Sequence, residues 1–130
     1  MQPQVPSISE SEWIVASEVW AEDGLTASEI GSRLEGRAAW KQKTVNTFLT
    51  RLVSKGVLEA RPDGRAFRYF ALIPHDQCVR AESDSFLKRV FGGAVAPMLV
   101  HFCETSDLSD DEVERLRKIL KQKTSKKKTW

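Results

Sequence analysis

Residues 40–56 read WKQKTVNTFLTRLVSKG and bring amide, hydroxyl and basic side chains together at helical spacing. An asparagine can form two hydrogen bonds to adenine, and a threonine offers a hydroxyl and a methyl group suited to thymine. Lysine and arginine can contact guanine or phosphate. We therefore expect the exposed face of this stretch to contact double-stranded DNA. The predicted contact residues are Lys43, Thr44, Asn46, Thr47, Thr50 and Arg51.

Enzymatic and metal-binding chemistry has little support in the residues. The two histidines are His75 and His101, and the chain lacks the G-x-S-x-G, H-E-x-x-H and phosphate-binding glycine motifs. Cys78 and Cys103 lack C-x-x-C spacing, and a zinc site built from these four residues needs two distant segments to meet. We expect no catalysis, no cofactor and no metal site, and we expect both cysteines to be reduced.

The charge of the chain is divided along its length. The net charge is +2, but residues 1–36 hold one basic and seven acidic residues, whereas residues 37–68 hold eight basic and two acidic residues. The basic block contains the stretch described above. Positive potential concentrated on one part of the surface suits a polyanion such as DNA. Alternatively, the two blocks neutralise each other in the fold.

Helices are predicted to hold this surface in place. A first helix spans about Ser9–Ala21, with Trp13, Ala16 and Trp20 on its inward stripe. A short second helix follows a capping box that begins at Thr26. Both precede the stretch that carries the predicted contacts.

The third helix has the clearest apolar period in the chain. It spans about Lys43–Lys55, with apolar residues at i, i+3, i+4, i+7 and i+8. The period then changes to that of two short strands joined by Asp63-Gly64, a hairpin signal. Three helices and a hairpin are the order of a winged helix-turn-helix domain, whose third helix enters the major groove. The hairpin arginines expected along the sugar–phosphate backbone are Arg61, Arg65 and Arg68.

Further amphipathic helices are predicted after the hairpin. They span about Pro74–Val90, Val95–Glu104 and a segment that begins at Ser109. Helices of this kind need a partner surface, so they either fold back on the first domain or pair with a second copy. The residues predicted to form a dimer interface are Val79, Phe86, Leu87, Val90, Val95, Met98, Leu99, Phe102, Leu116 and Leu120.

The predicted fold class is mostly α with a small β-hairpin wing, as a winged helix-turn-helix domain plus a C-terminal helical dimerisation domain. We expect a disordered N-terminus at 1–7, the winged-helix domain at 8–73, the dimerisation domain at 74–122 and a disordered basic tail at 123–130. No apolar run approaches the roughly 20 residues that cross a bilayer, and the N-terminus lacks the features of a signal peptide. We therefore expect a cytoplasmic protein without membrane insertion.

The chain resembles the penicillinase-repressor family of bacterial transcriptional regulators from about Ile8 to Gln122. The most specific part is the family motif T-V-x-T-x-L-x-R-L-x-x-K-G. The matching residues are Thr44, Val45, Thr47, Leu49, Arg51, Leu52, Lys55 and Gly56. Further matches are Trp13, Trp20, Gly64, Arg65, Tyr69, and the segments FLKRVFGG at 86–93 and LSDDEVERLRKIL at 108–120. Asn46 occupies a position that the motif leaves free, so we expect it to contribute most to sequence preference.

The resemblance implies a homodimer whose winged helices bind a dyad-symmetric operator and whose C-terminal helices form the dimer. In β-lactam-responsive members, a membrane sensor with a peptidase domain detects the antibiotic, and the repressor is then cut at an Asn-Phe bond. The matching position in this chain is His101-Phe102, the predicted cleavage site. The copper-responsive branch carries a C-terminal cysteine cluster that this chain lacks.

Two functions from different classes are consistent with these residues. The leading hypothesis is a dimeric, sequence-specific transcriptional repressor that a membrane sensor of β-lactam or cell-wall stress inactivates through proteolysis of the dimerisation domain. The alternative is a winged-helix protein-interaction adaptor that does not bind DNA, in which the polar face of the third helix is only solvated.

Overall fold

A computed structural model describes residues 4–127 of the chain, with side chains through residue 124. Within these residues the chain forms six helices and three short strands. They are α1 (Glu10–Ala21), β1 (Leu25–Thr26), α2 (Ala27–Leu34), α3 (Gln42–Ser54), β2 (Leu58–Asp63), β3 (Ala66–Ala71), α4 (His75–Phe91), α5 (Val95–Thr105) and α6 (Asp110–Lys127).

The chain divides into two compact units, residues 1–85 and residues 86–130. The division falls inside α4, later than the predicted boundary between residues 73 and 74. The reason is Cys78, in the first turn of α4, which is fully buried in the core of the first unit. The start of α4 thus belongs to the winged helix, and the second unit begins one helix turn or more beyond the predicted boundary.

Helix α1 supplies the centre of the core in the first unit. Val15, Ala16 and Val19 are fully buried, whereas Trp13 and Trp20 are half-buried beside them. Ala16 is thus buried as predicted, but the rest of the inward stripe is formed by Val15 and Val19 rather than by Trp13 and Trp20. Indole rings are large and carry a polar N–H, so they suit the margin of a core better than its centre. The Trp20 Nε1 proton is donated to the carbonyl of Ile73 at 3.1 Å.

A buried carboxylate ties the start of α1 to the end of α3. Ser9 and Glu12 form a capping box in which Glu12 Oε1 accepts from the Ser9 N–H at 2.8 Å. The same oxygen accepts from Lys55 Nζ at 2.6 Å, and the Glu12 side chain is 3% exposed. Burial raises the pKa of Glu12, but the hydrogen bonds from Lys55 and Ser9 together lower it by more than burial raises it. The pKa of Glu12 therefore lies below 4.5.

Helix α3 lies with one face in the core and one face in solvent. Val45, Leu49 and Leu52 are at most 2% exposed, as the apolar period predicts. The helix begins and ends one residue earlier than expected. It stops before Gly56, whose φ of 80° lies in the left-handed region that favours glycine.

The three strands form an antiparallel sheet in the order β1-β3-β2. Strand β1 pairs through Leu25 and Tyr69, and a strand of two residues is too short for its pattern to be predicted. Pro62 lies in β2, which is an edge strand of the sheet, the position where a proline is tolerated.

The turn of the hairpin differs from the prediction by one residue. Asp63 belongs to β2 and pairs with Ala66, so the two loop residues are Gly64 and Arg65 rather than Asp63 and Gly64. Gly64 has a φ of 64°, and no other residue of the turn has a positive φ. A glycine at the first central position is typical of a type II′ hairpin turn. Arg65 therefore lies at the tip of the wing.

The second unit is helical and leaves its apolar residues accessible. Phe86 contacts Phe91 and Phe102, with ring centroids 5.9 and 6.3 Å apart respectively. Among side chains 86–124, none is fully buried. The large apolar residues that remain exposed are Val90, Val95, Val100, Phe102, Val113, Ile119 and Leu120. As described, this unit has no enclosed core.

Both predicted disordered ends need correction. Val5 packs against the core, and the carbonyl of Ser7 accepts from Lys55 Nζ at 2.8 Å, so disorder is wrong for residues 5–7. Helix α6 continues to Lys127, so disorder is also wrong for residues 123–127. Lysine has a high helix propensity, and cations are favoured near a helix C-terminus. Residues 1–3 and 128–130 of these predicted ends lie outside the described residues.

Within residues 4–127, no single helix is long and apolar enough to cross a membrane. The bent pair formed by α4 and α5 reaches the required length and composition only when the two helices are taken together.

Replacing Glu12 with Gln is expected to lower the free energy of unfolding by about 2 kcal/mol at pH 7, because a hydrogen-bonded and largely buried charge pair is lost. The matched control is Glu22→Gln, which breaks an exposed pair with Arg33 at the same N–O distance of 2.6 Å. That change is expected to cost less than about 0.5 kcal/mol. Urea denaturation of the three proteins at pH 7 measures both effects.

The same contribution depends on pH. Because the pKa of Glu12 is lowered in the folded state, its stabilising effect is present above about pH 4.5 and disappears as the pH falls through the lowered value. Wild type and Glu12→Gln should therefore converge in stability at acid pH. A difference that stays constant from pH 7 down to acid pH contradicts this role of the ion pair.

Candidate nucleic-acid interface

The predicted contact residues of α3 lie together on its solvent face. Lys43, Asn46, Thr47, Thr50 and Arg51 are all exposed. Thr44 is half-buried at the margin of that face. The fold thus leaves this side of α3 free of contacts with the core.

The two threonine hydroxyls of this face donate to carbonyls within α3. Thr47 Oγ1 donates to the Lys43 carbonyl at 3.1 Å, and Thr50 Oγ1 donates to the Asn46 carbonyl at 3.0 Å. A hydroxyl that donates keeps its acceptor capacity, and its methyl group remains available. These threonines are therefore suited to thymine methyl groups and to base amino groups.

Gln42 is a residue of this site that the sequence patterns missed. Its Nε2 group donates to the carbonyl of Ala27 and to Asn46 Oδ1, both at 2.9 Å. Its amide lies across Gly31 of α2, where an added Cβ would overlap it. The i, i+4 spacing of Gln42 and Asn46 was the signal available, since such pairs hydrogen-bond on a helix surface. Gln42 thus joins the start of α3 to α2 and orients the side chain of Asn46.

Aromatic rings support the far end of the face. The Arg51 guanidinium lies 5.8 Å from the centroid of the Phe48 ring. Phe48 in turn packs against Trp40, with centroids 5.0 Å apart. A cation held near an aromatic face has fewer positions to sample, which favours an ordered contact with an anion.

The three hairpin arginines have different environments. Arg61 pairs with Glu59 at 3.1 Å and lies 4.0 Å over the Phe70 ring. Arg68 donates to Asp63 at 2.6 Å and to the carbonyl of Gly24 at 2.7 Å. Arg65 is exposed at the wing tip. Arg65 is therefore the hairpin arginine best placed to contact another molecule.

A groove of about 390 Å³ separates α3 from the wing. The polar and aromatic residues that line it include Ser28, Asn46, Thr50, Arg65, Phe67 and Tyr69. Burial raises the pKa of Tyr69, so its hydroxyl stays protonated and able to donate at neutral pH. The groove thus offers donors beside two apolar rings.

The ion pairs show how far the acidic and basic blocks neutralise each other and how much positive charge remains for a polyanion. Pairs between the acidic and basic blocks are Arg37 with Glu18, Lys55 with Glu12 and Arg68 with Glu29. Arg61 pairs within the basic block. Among side chains 4–124, the basic residues of the block that have no ion-pair partner are Lys41, Lys43, Arg51 and Arg65. Four of the eight basic residues in the block are thus paired with carboxylates. The other four lie on α3, immediately before it, or at the tip of the wing.

The predicted dimer residues lie on the helices after the wing. Phe86, Leu87, Met98, Leu99 and Leu116 are half-buried, whereas Val79, Val90, Val95, Phe102 and Leu120 are exposed. Val79 belongs to the first unit and the others to the second. His101 and Phe102 lie inside α5, where both side chains are exposed.

Within the described residues, no group of three or more His, Cys, Asp or Glu side chains could hold a metal ion. Cys78 is buried and burial raises the pKa of its thiol, while Cys103 is exposed. His75 packs against Trp20 at 5.0 Å between ring centroids. Among the described residues, the candidate functional site is therefore the surface formed by α3 and the wing.

Among the described side chains, an exposed polar face on α3, a hairpin wing and four basic groups without ion pairs together define a winged-helix DNA-binding protein. The chain belongs to the penicillinase repressor family, which it matches over residues 8–122. It is thus a winged-helix transcriptional repressor, and the resemblance noted from its motif is confirmed.

Individual relatives match over nearly their whole length. The methicillin resistance regulatory protein MecI of Staphylococcus aureus is 32% identical over 123 residues, which cover 95% of this chain and 100% of MecI. The penicillinase repressor of Bacillus licheniformis is 32% identical over 125 residues, which cover 96% of this chain and 98% of that protein.

A solved structure matches just over half of the chain. It is the solution structure of monomeric Bacillus licheniformis BlaI in complex with the blaP half-operator, with a TM-score of 0.50 and 31% identity. The match covers 57% of this chain and 90% of that chain.

Arg68→Ala is expected to lower the free energy of unfolding, because its bonds to Asp63 and to the Gly24 carbonyl are lost. Arg65→Ala is expected to change it by less than about 0.5 kcal/mol, because the residue is exposed and lacks an ion-pair partner among the described side chains. Urea denaturation at neutral pH compares the two variants. Equal losses would contradict the different roles assigned to these arginines.

Proposed function

We propose that the chain represses transcription as a homodimer that binds a dyad-symmetric DNA operator. The observation that carries this proposal is the exposed polar face of α3 together with Lys41, Lys43, Arg51 and Arg65, which have no ion-pair partner among side chains 4–124. Unpaired cations on a helix and an adjoining loop are the arrangement that neutralises phosphates on either side of a groove. The BlaI relative whose structure contains a half-operator supports the same assignment.

In this proposal α3 lies in the major groove, which is wide enough to admit an α-helix. Asn46, Thr47 and Thr50 face the base edges, and Lys43 and Arg51 contact guanine or phosphate. Arg65 extends from the wing tip to the adjacent sugar–phosphate backbone. In this proposal Arg61 and Arg68 contribute less to binding than Arg65, because their guanidinium groups already pair with Glu59 and Asp63 within the wing.

The second unit supports dimerisation through its apolar residues. Val90, Val95, Phe102 and Leu120 are between 43% and 53% exposed, and large apolar side chains left exposed on one unit are candidates for burial in an interface. A second copy with the same surface buries these residues symmetrically. Two winged helices then bind two half-sites about 34–36 Å apart, or a multiple of that distance.

Regulation by proteolysis is the finer part of the proposal. A cut at His101-Phe102 would separate α6 from α4 and the start of α5, and would divide the dimer surface. The bond lies inside α5, so a peptidase can reach it only after local unwinding. The proposal places the repressor in the cytoplasm with its operator, and a membrane sensor acts on it indirectly.

Binding is tested by gel shift with the duplex upstream of the chain's own gene. Wild type should retard this duplex, and Arg65→Ala should weaken binding to every sequence and reduce the salt dependence by about one phosphate contact. Arg61→Ala is the matched control, because its guanidinium is committed to Glu59 and Phe70. Absence of retardation by wild type at low salt would contradict the proposal and favour the adaptor alternative.

Dimerisation is tested by sedimentation equilibrium against the chain mass of 14.7 kDa. Wild type should sediment at twice that mass, and a Phe102→Asp, Leu120→Asp variant should sediment as a monomer because two charges enter an apolar interface. The variant should still bind a half-site but should lose the tighter binding to a full dyad. A wild-type monomer at all concentrations would exclude the homodimer.

Cleavage is tested in cells exposed to a β-lactam. The expected result is a discrete fragment that ends at His101, detected by mass spectrometry of the N-terminally tagged chain. An intact chain in cells where the target genes are induced would contradict the proteolytic switch and leave DNA binding unaffected.

A further inference from the structure

We infer that Gln42 is a positioning residue that fixes which way the Asn46 amide faces, and thereby sets the base that Asn46 prefers. The inference rests on the proposed function, because it concerns how α3 reads DNA. It goes beyond that function by assigning a specificity role to a residue that is not among the predicted base or phosphate contacts.

The direction of the Gln42 amide is fixed by chemistry. A backbone carbonyl can only accept a hydrogen bond, so the Gln42 atom that lies 2.9 Å from the Ala27 carbonyl must be the donor Nε2. The opposite orientation would place two carbonyl oxygens together. The hydrogen bond thus identifies which atom of the Gln42 amide is nitrogen and which is oxygen, a distinction that the shape of the amide alone does not give.

The direction of the Asn46 amide follows from that of Gln42. Nε2 of Gln42 has a second proton and also lies 2.9 Å from an atom of Asn46, which must therefore be the acceptor Oδ1. The Nδ2 group of Asn46 is left facing away from Gln42, and the Asn46 side chain as a whole is exposed. A backbone carbonyl of α2 thus determines, through one glutamine, which polar atom α3 offers to the groove.

An outward Nδ2 group favours bases that present acceptors. In the major groove guanine presents two acceptors, N7 and O6, whereas cytosine presents only a donor. The usual asparagine–adenine pair needs both the amide oxygen and the amide nitrogen, and here Oδ1 is directed toward Gln42, which leaves only its second lone pair for a base. Asn46 is therefore suited first to guanine and least to cytosine.

Gly31 makes room for the hydrogen bonds that Gln42 forms with Ala27 and Asn46. Its lack of a side chain makes room for the Gln42 amide, and an added Cβ would displace the end of this flexible side chain rather than backbone. Gly31→Ala therefore removes the Gln42 contact without altering Gln42 or any residue on the exposed face of α3.

The experiment is selection of preferred duplexes from a randomised pool by the full-length protein, followed by sequencing. Asn46→Ala identifies the base position concerned, because preference should disappear there. At that position wild type should select guanine over cytosine by about tenfold or more. Gln42→Ala and Gly31→Ala should reduce this ratio to about threefold or less and should admit adenine, because the Asn46 amide becomes free to rotate.

Gln42→Glu is the sharpest variant. A carboxylate cannot donate, so the Asn46 Nδ2 group turns toward it and Oδ1 turns outward. Preference should then shift from guanine to the bases that present donors, cytosine and adenine. The added charge weakens binding to all sequences, so the measured quantity is the ratio between bases rather than affinity.

The outcomes separate the inference from the proposed function. Circular dichroism establishes whether each variant is folded. If Gln42→Glu is unfolded, Gly31→Ala and Gln42→Ala still test the inference. A merely structural role for Gln42 predicts weaker binding with unchanged base ratios, and that result overturns the inference while leaving DNA binding intact. Preference that survives in Asn46→Ala overturns it as well. Failure of wild type to select any duplex overturns the proposed function and the inference together.

Discussion

The buried face of α3 is the constraint on which the rest of the structure depends. Val45, Leu49 and Leu52 are almost wholly excluded from solvent, and each buried side chain of this size contributes roughly 1.5–3 kcal/mol. Because these residues fix the rotation of the helix about its axis, the polar residues between them must face outward. The surface that contacts DNA in our proposal is therefore a geometric result of core packing. Substitutions on that surface can change binding without removing a core contact.

The ends of α3 are held by two polar contacts of different kinds. At the beginning, Gln42 joins it to Ala27 of α2, and at the end Lys55 joins it to Glu12 of α1. The lysine also suits the negative end of the helix dipole. Apolar packing alone allows a helix to slide along its axis, whereas directional bonds at both ends oppose that movement. The base-facing side chains consequently keep one register relative to the two supporting helices.

Sequence patterns predicted what depends on near neighbours and missed what depends on distant ones. The capping box at Thr26 and the apolar period of α3 involve residues three or four apart, and the structure has them. The contact between Lys55 and Glu12 spans 43 positions, and that between Arg68 and Gly24 spans 44. The helical and strand periods of a sequence do not indicate which distant residues will be in contact. For this reason the three wing arginines seemed equivalent in the sequence, although only Arg65 lacks an ion pair among the described side chains. The choice of Gly64-Arg65 as the loop is equally invisible, because Asp63-Gly64 is also a good turn sequence.

The two-residue loop of the wing has a consequence for the position of Arg65. A loop of this length fixes strand register, and inserting one residue would require a different turn with a bulge. Such an insertion would turn Arg65 away from its present direction. The length of the wing thus fixes where Arg65 lies, whereas exposed side chains on α3 can be exchanged without changing that position. In our proposal, the backbone contact is therefore set by loop length and the base contacts are set by side-chain identity.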